Sequence, residues 1–476
     1  MNETAPWPEE IEREMTPAVR AFFVAQRLAW QTRVDELESR VTRLERELKK
    51  HEKFRRPDKP EPAEASGPDV PPSTASKKRG GQPGHPKAER ALIPTENCYE
   101  VIVCAPPVCR GCGEELSGSD PAPWRHQVTE IPPIQPVITE YQRHRLTCTC
   151  CGVTTCGTLP EGVPSGMTGP RLTALVGLLM ALFRQSKRRV SLFCETALGV
   201  SVSPGLVIKL QNLVTESTRP AYDELVQSLP EQLAVNVDET PTRQQNQNAW
   251  IWTIVSPNCT VFAVRLTKAA TVVNSLLGSD YQGVVTSDRA KMYDHFARHQ
   301  VCWAHLKRDF EALAQSPTKT AAKLGQALCE LTYEVFHHWH RVRDGTVQRP
   351  AFLQQMRRLQ GQFYLTIEEG LACAESAGMC DNLLRKFNTL FEFTRSTTNA
   401  IEPTNNAAER SLRHAVIWKH LSFGTQSASG SRFVETLLSI LETCRQQGRD
   451  LLDFLRQSLS QHLQGQPGPS LITNGV

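Results

Sequence analysis

The sequence predicts a multidomain α+β protein, and three observations carry that prediction. A short heptad seam lies near the N-terminus. Two Cys-x2-Cys pairs follow, with 35 residues between Cys112 and Cys148. From residue 233 to about 304 the apolar pattern then alternates between strand and helix periods. At 476 residues the chain is long enough for several cores. Its 54 Lys+Arg stand against 50 Asp+Glu, so any nucleic-acid footprint must come from local clusters. The polar, acidic start Met1-Asn2-Glu3-Thr4 lacks the apolar stretch of a signal peptide. The longest apolar run, residues 172–183, covers 12 residues, too few to cross a bilayer. The 15 cysteines, in a large chain with no export signal, point to reduced thiols or metal ligands, and the chain reads as cytoplasmic with no membrane partner.

Residues 1–56 are expected to hold a helical coiled coil. Val34, Leu37, Val41, Leu44 and Leu48 recur at spacings of three and four, with β-branched residues at a and Leu at d, a pattern that favours parallel dimers. Arg33 and Arg40 then take g positions opposite Glu38 and Glu45 at e, so a homo-oligomer through this coil is expected. Residues 57–91, rich in Pro, Ser and Gly, read as a disordered basic linker. It ends in Lys77-Lys78-Arg79-Gly80-Gly81-Gln82-Pro83-Gly84-His85, an arm able to lie along phosphates.

Residues 92–165 carry the cysteine pairs. Each Cys-x2-Cys forms a knuckle that offers two thiolates, and Cys109, Cys112, Cys148 and Cys151 together suit one tetrahedral structural zinc (Zn2+). Gly111, Gly113 and Gly152 permit the tight turns; Cys98, Cys104, Cys150 and Cys156 lie close enough in sequence to compete as ligands. Residues 127–131 and 137–146 read as strands between the knuckles. Residues 166–230 read as helical, with 191–203 resembling a helix-turn-helix: Gly199 at the turn, Ser203 capping the next helix, and Arg188 and Arg189 in reach of phosphates.

From residue 233 the pattern changes. Residues 233–237 read as a strand running into Asp238, with 250–255 and 260–266 as two more. A helix over 268–277 follows, then a buried strand over 283–287 ending at Asp288, a short helix over 290–298, a strand over 300–303, and a helix from about 304. That order belongs to a ribonuclease-H-like α/β core, assigned to residues 231–425 with a helical insertion over 309–397. In such a core the two aspartates meet at one sheet edge. Converging carboxylates repel, so they hold a proton or share cations, and all-oxygen ligation suits Mg2+ or Mn2+. A third carboxylate is on offer in Asn405-Asn406-Ala407-Ala408-Glu409-Arg410-Ser411-Leu412-Arg413. Asn405 or Asn406 is expected to cap a helix, Glu409 falls in its first turn, and Arg413 shares the face of Glu409 at i+4. Glu239, Asp294, Asp309 and Glu402 are competing acids; residues 426–476 read as a C-terminal helix and tail.

Val237-Asp238-Glu239-Thr240, Ser287-Asp288, Cys302-Trp303-Ala304-His305-Leu306-Lys307-Arg308 and Asn405-Asn406-Ala407-Ala408-Glu409-Arg410 resemble the successive motifs of the insertion-sequence 66 family of DDE transposases. Lys419-His420-Leu421-Ser422-Phe423-Gly424-Thr425 with Gly430 fits the same family, as do the Gly-Gly-Gln-Pro-Gly-His arm and the double knuckle. Where many members carry Gly-Tyr after the second aspartate, this chain has Arg289-Ala290-Lys291-Met292-Tyr293. The resemblance implies Asp238, Asp288 and Glu409 as a catalytic triad holding two Mg2+ or Mn2+ ions, with cleavage of transposon-end DNA and strand transfer into target DNA as the reaction. His305, Lys307, Arg308 and Arg413 are then candidates for steadying phosphates. Small accessory proteins of the same element and a nucleoid-associated location are also implied. An inactive DNA-binding relic and a hydrolytic nuclease of the same fold are the alternative readings.

Overall fold

The structure, a computed structural model, describes Thr16, residues 90–396 and residues 400–472. The heptad seam and Lys77, Lys78 and Arg79 therefore lie outside the described residues. The chain divides into two units, Met1–Val128 and Thr129–Val476. The division falls inside the 92–165 stretch, with one Cys-x2-Cys pair in each unit.

Both pairs make the same turn. The Cys109 N–H donates to the Glu114 carbonyl at 2.8 Å and the Gly113 N–H to the Cys109 carbonyl at 2.9 Å. In the other unit the Cys148 N–H reaches the Val153 carbonyl and the Gly152 N–H the Cys148 carbonyl, each at 2.9 Å. Gly113 (φ 80°) and Gly152 (φ 71°) both take the left-handed conformation that closes the turn. The second turn joins β1, Arg145–Thr147, to β2, Thr154–Cys156, which pair antiparallel. The strands expected over 127–131 and 137–146 do not form, except for the two residues that enter β1. Val137 and Ile138 are 94% and 88% exposed; alternation makes no strand without a facing partner.

Three helices lead into the sheet: α1, Pro170–Ala181; α2, Lys187–Leu198; and α3, Pro204–Ser228. Pro170 opens α1 at a position where its missing N–H costs nothing. Gly199, at φ 66°, closes α2, and the Ser203 side chain caps α3 by accepting the Leu206 N–H at 3.1 Å. Within the helical stretch, α3 continues through Pro220. Glu216, whose carbonyl loses its partner to that proline, is exposed, as is Pro220. Val207, Leu210, Val214, Tyr222 and Leu225 are buried, which makes α3 a core helix.

The sheet has five strands: β3, Ala234–Gln244; β4, Gln247–Val255; β5, Thr260–Arg265; β6, Val284–Ser287; and β7, His299–Val301, in the order β5-β4-β3-β6-β7. β3, β4 and β5 form an antiparallel meander, while β6 and β7 run parallel to β3. It is a mixed sheet with helices. β3 does not stop at Asp238: its pairing with β6 ends at Asn236↔Thr286, but its pairing with β4 continues to Gln244↔Gln247. Pro241 is tolerated because β3 has no neighbour on its other side there.

The connections are α4, Ala270–Leu277; α5, Trp303–Ala314; α6, Lys319–Arg343; α7, Arg349–Glu369; α8, Ala374–Arg385; the single turns α9, Phe387–Leu390, and α10, Glu392–Arg395; α11, Asn406–Ser422; α12, Ala428–Gln447; and α13, Leu451–Leu463. The helix expected over 290–298 shrinks to a 3-10 turn, Lys291–Tyr293, because the Asp288 side chain captures the Ala290 N–H at 2.9 Å. Two apolar cores result. One joins α1, α3, α12 and α13 to β3, β4 and β5; the other joins β6, β7 and α5 to the inserted helices α6 to α10. α12 lies on β5, where the buried Glu435 accepts the Val264 N–H at 3.0 Å and pairs with Arg219 (2.9 Å) and Arg265 (3.0 Å).

Candidate active site

Parallel register brings the two aspartates together. Asn236 pairs with Thr286, so Asp238 and Asp288, each two residues further on, leave the shared part of β3 and β6 at one level. An Asp238 Oδ1 accepts the Glu239 N–H at 2.9 Å. Burial, followed by the nearby charges of Glu239, Asp288 and Glu409, nonetheless pushes the Asp238 carboxyl up to about 7. The Glu239 N–H offsets only part of that effect.

Glu409 arrives from the other direction, in the first turn of α11. The sequence suggested an asparagine cap; Asn405 stands at the cap position, but its side chain makes no cap bond. Its amide instead donates to the Val237 carbonyl at 2.8 Å, and its Oδ1 accepts from Asn236 at 3.0 Å. The Asn405 N–H also points to the Cys302 sulfur at 3.1 Å, and the Trp303 N–H donates to the Pro403 carbonyl at 2.9 Å. The start of α11 is thus fastened to β3 beside Asp238 and to the start of α5.

α5 supplies the basic side chains. His305 Nε2 lies 3.4 Å from Glu409 Oε1, and the Arg308 guanidinium lies 4.0 Å from the same oxygen. Arg413, expected on the face of Glu409, is exposed and is not one of its ion-pair partners. Lys307 turns away to Glu311 at 3.7 Å. Arg188 and Arg189 are exposed in the first turn of α2. Glu239 points across the strand, where it accepts from Tyr293 at 2.6 Å and pairs with Lys268 at 2.7 Å. Asp294 and Asp309 are occupied by Lys386 and Arg289. Glu239, Asp294 and Asp309 are therefore tied up elsewhere, while Glu402 is exposed ahead of α11.

The residues present fit a hard cation. Glu409 Oε1 is buried with no hydrogen-bond donor, and Asp238 is costly to ionise alone. A softer set overlaps it, since the ligand atoms of Cys302, His305 and Glu409 lie within 4.8 Å of one another. Burial raises the Cys302 thiol, which keeps it a hydrogen-bond acceptor for Asn405 rather than a ready ligand. At the knuckles the backbone N–H groups of Cys112 and Cys151 are the leading causes that lower the Cys109 and Cys148 thiols, favouring the thiolates that zinc requires. Asn405 was expected as a cap, Glu239 as a competing acid and Cys302 within a motif, but the tie of Asn405 to Val237, the Cys302–Asn405 contact and the Lys268–Glu239–Tyr293 clamp were not foreseen from sequence. No local pattern marks these contacts, because the partners lie far apart in the chain.

Residues 165–432, more than half of the chain, match the model of the Transposase IS66 family. Residues 106–152 match the zinc-finger binding domain of transposase IS66. The uncharacterized protein y4qI of Sinorhizobium fredii (strain NBRC 101917 / NGR234) is 24% identical over 345 residues, covering 65% of this chain and 62% of that relative's length.

Proposed function

This chain belongs to the IS66 transposase family, and from that premise we propose that it cuts transposon-end DNA and joins the freed 3′ end to target DNA at Asp238, Asp288 and Glu409. The observation that carries the reading is the shared register of Asp238 and Asp288, with Glu409 fastened beside them through Asn405. Two Mg2+ or Mn2+ ions held by these three carboxylates would supply Lewis acidity at the attacking and departing oxygens of a phosphodiester. His305 and Arg308 orient Glu409 and offer donors to a non-bridging phosphate oxygen. In cleavage a water oxygen bonds to phosphorus as the bond to the 3′-oxygen breaks. In joining, that 3′-oxygen attacks a target phosphodiester and displaces its 3′-oxygen, so no protein–DNA bond forms.

Cys109, Cys112, Cys148 and Cys151 hold the structural zinc in this reading, supported by the family match over 106–152. The heptad seam brings copies together, and the basic arm with Arg188 and Arg189 adds phosphate contacts. Small proteins of the same element are expected partners. The test is cleavage of duplexes from the borders of the protein's own gene with Mg2+ or Mn2+, comparing wild type with Glu409→Gln. Cutting by wild type alone supports the reading; cutting by both moves catalysis away from Glu409.

A further inference from the structure

We propose that the outward face of α11 is a DNA track leading away from Glu409, ending in a wedge, Phe423, that enters the base stack. The inference rests on the catalytic reading above and adds a second contact, remote from the chemistry.

At 3.6 residues per turn, Arg413, Ile417, Arg410 and Leu421 lie within about 80° of one another around the helix, with Glu409 about 40° from Arg413 at the near edge of that stripe. Arg410 and Arg413 are exposed, and Ile417 and Leu421 are 40% and 62% exposed. Beyond Glu409 the helix carries no acid, only Arg410, Arg413, His414, Lys419 and His420. Cations interleaved with exposed apolar side chains complement a phosphate backbone and its bases better than an apolar protein face. From Glu409 to the end of the stripe is about 18 Å of helix rise.

The stripe ends in an unusual residue. α11 closes at Phe423, which holds φ 56°, ψ 23°. Helices commonly give this left-handed position to glycine, since a side chain there is strained. Here it is filled by an aromatic that is 83% exposed. The backbone around it is fixed. The Thr425 N–H donates to the Arg243 carbonyl and the Gln245 N–H to the Thr425 carbonyl, each at 2.9 Å. A Cβ on Gly424 would sit 2.3 Å from the Arg243 oxygen, so the turn has no room to relax. Lys419 pins the last turn of α11 to Thr240 and Pro241. A strained, rigidly mounted and solvent-facing ring at the end of a basic stripe is the arrangement of a side chain that unstacks bases.

The experiment uses the full-length protein in EDTA, so that cutting plays no part, with duplexes from the borders of its own gene carrying 2-aminopurine at successive positions. Wild type is expected to brighten the probe at one or two adjacent positions. Phe423→Ala and Phe423→Gly should lose the brightening, keep DNA affinity within roughly tenfold because lost stacking is offset by unstacking no longer required, and melt no lower than wild type. Arg413→Ala should reduce the salt slope of binding by about one and still brighten the probe at saturation. Tight wild-type binding without brightening, equal brightening by Phe423→Ala, or no wild-type binding overturns the proposal. Loss of self-association in Phe423→Ala with brightening intact also overturns it and makes the turn a protein interface. Brightening that depends on Phe423 in a protein that never cuts would leave the wedge standing and the catalytic reading fallen.

Discussion

The side-chain amide of Asn405 donates to the carbonyl of Val237 at 2.8 Å, tying the residue before the Glu409 helix to the residue before Asp238. Asn405 is fully buried, and its Oδ1 also accepts from Asn236. Asn405→Ala leaves the Val237 oxygen without its donor and the Asn236 amide with only the Thr404 carbonyl at 3.3 Å, a cost of roughly 2 kcal/mol. It should also free Glu409 to shift, so DNA cleavage is expected to fall by at least about 100-fold while the fold survives. Thermal melting and single-turnover cleavage on one preparation check both parts.

Glu435 holds α12 to the sheet edge through Val264, Arg219 and Arg265. Because the carboxylate is buried while both guanidiniums reach solvent, Glu435→Ala should cost roughly 2–3 kcal/mol, below the loss for a fully enclosed pair. Glu435→Gln keeps an acceptor for the Val264 N–H and should lose about half as much. Denaturant titration of the two variants measures the difference.

His299 gives the fold an acid limit. Its Nε2 lies 2.8 Å from the Ser287 hydroxyl, which itself donates to the Asp288 carbonyl, so the ring nitrogen is the donor. Nδ1 is buried without a partner, and burial, with Lys386 nearby, lowers the ring from 6.5 to about 4. A folded value below the unfolded one means stability is complete above pH 6.5 and lost as pH falls toward 4. The loss amounts to roughly 3 kcal/mol. His299→Gln should flatten the melting profile across that range; an unchanged slope would assign it to other groups.

One zinc per chain is expected by elemental analysis, and Cys112→Ser or Cys151→Ser alone should abolish tight retention, because a tetrahedral thiolate site fails when one ligand is lost. Retention by either variant would assign the metal to other cysteines.

Much of the sheet was legible because its strands announce themselves. Val235 and Val237, then 250–255 and 284–287, are short apolar runs set off by polar turns, and Asp238 and Asp288 follow them directly. The continuation of β3 through Thr240, Pro241 and Thr242 was hidden, since a polar run with a proline looks like a loop until β4 is known to pair with it. The short helix after Asp288 was over-read because the carboxylate that captures the Ala290 N–H competes with helix formation. Glu409 was legible through the motif around it. The Asn405 tie was not, because its partners Asn236 and Val237 lie 169 and 168 residues away in the chain. Arg413 shares a helix face with Glu409 by spacing, but His305 and Arg308 reach it across the site.

The most direct measurement is strand joining by wild type and Asp288→Asn on duplexes from the borders of the gene, with Mg2+ or Mn2+ and the element's accessory proteins present. Joined products from wild type alone, with equal DNA binding by both proteins, are the predicted result. Equal binding with no cutting by either protein, or cutting and joining that persist in Asp288→Asn, would contradict the assignment of catalysis to Asp238, Asp288 and Glu409.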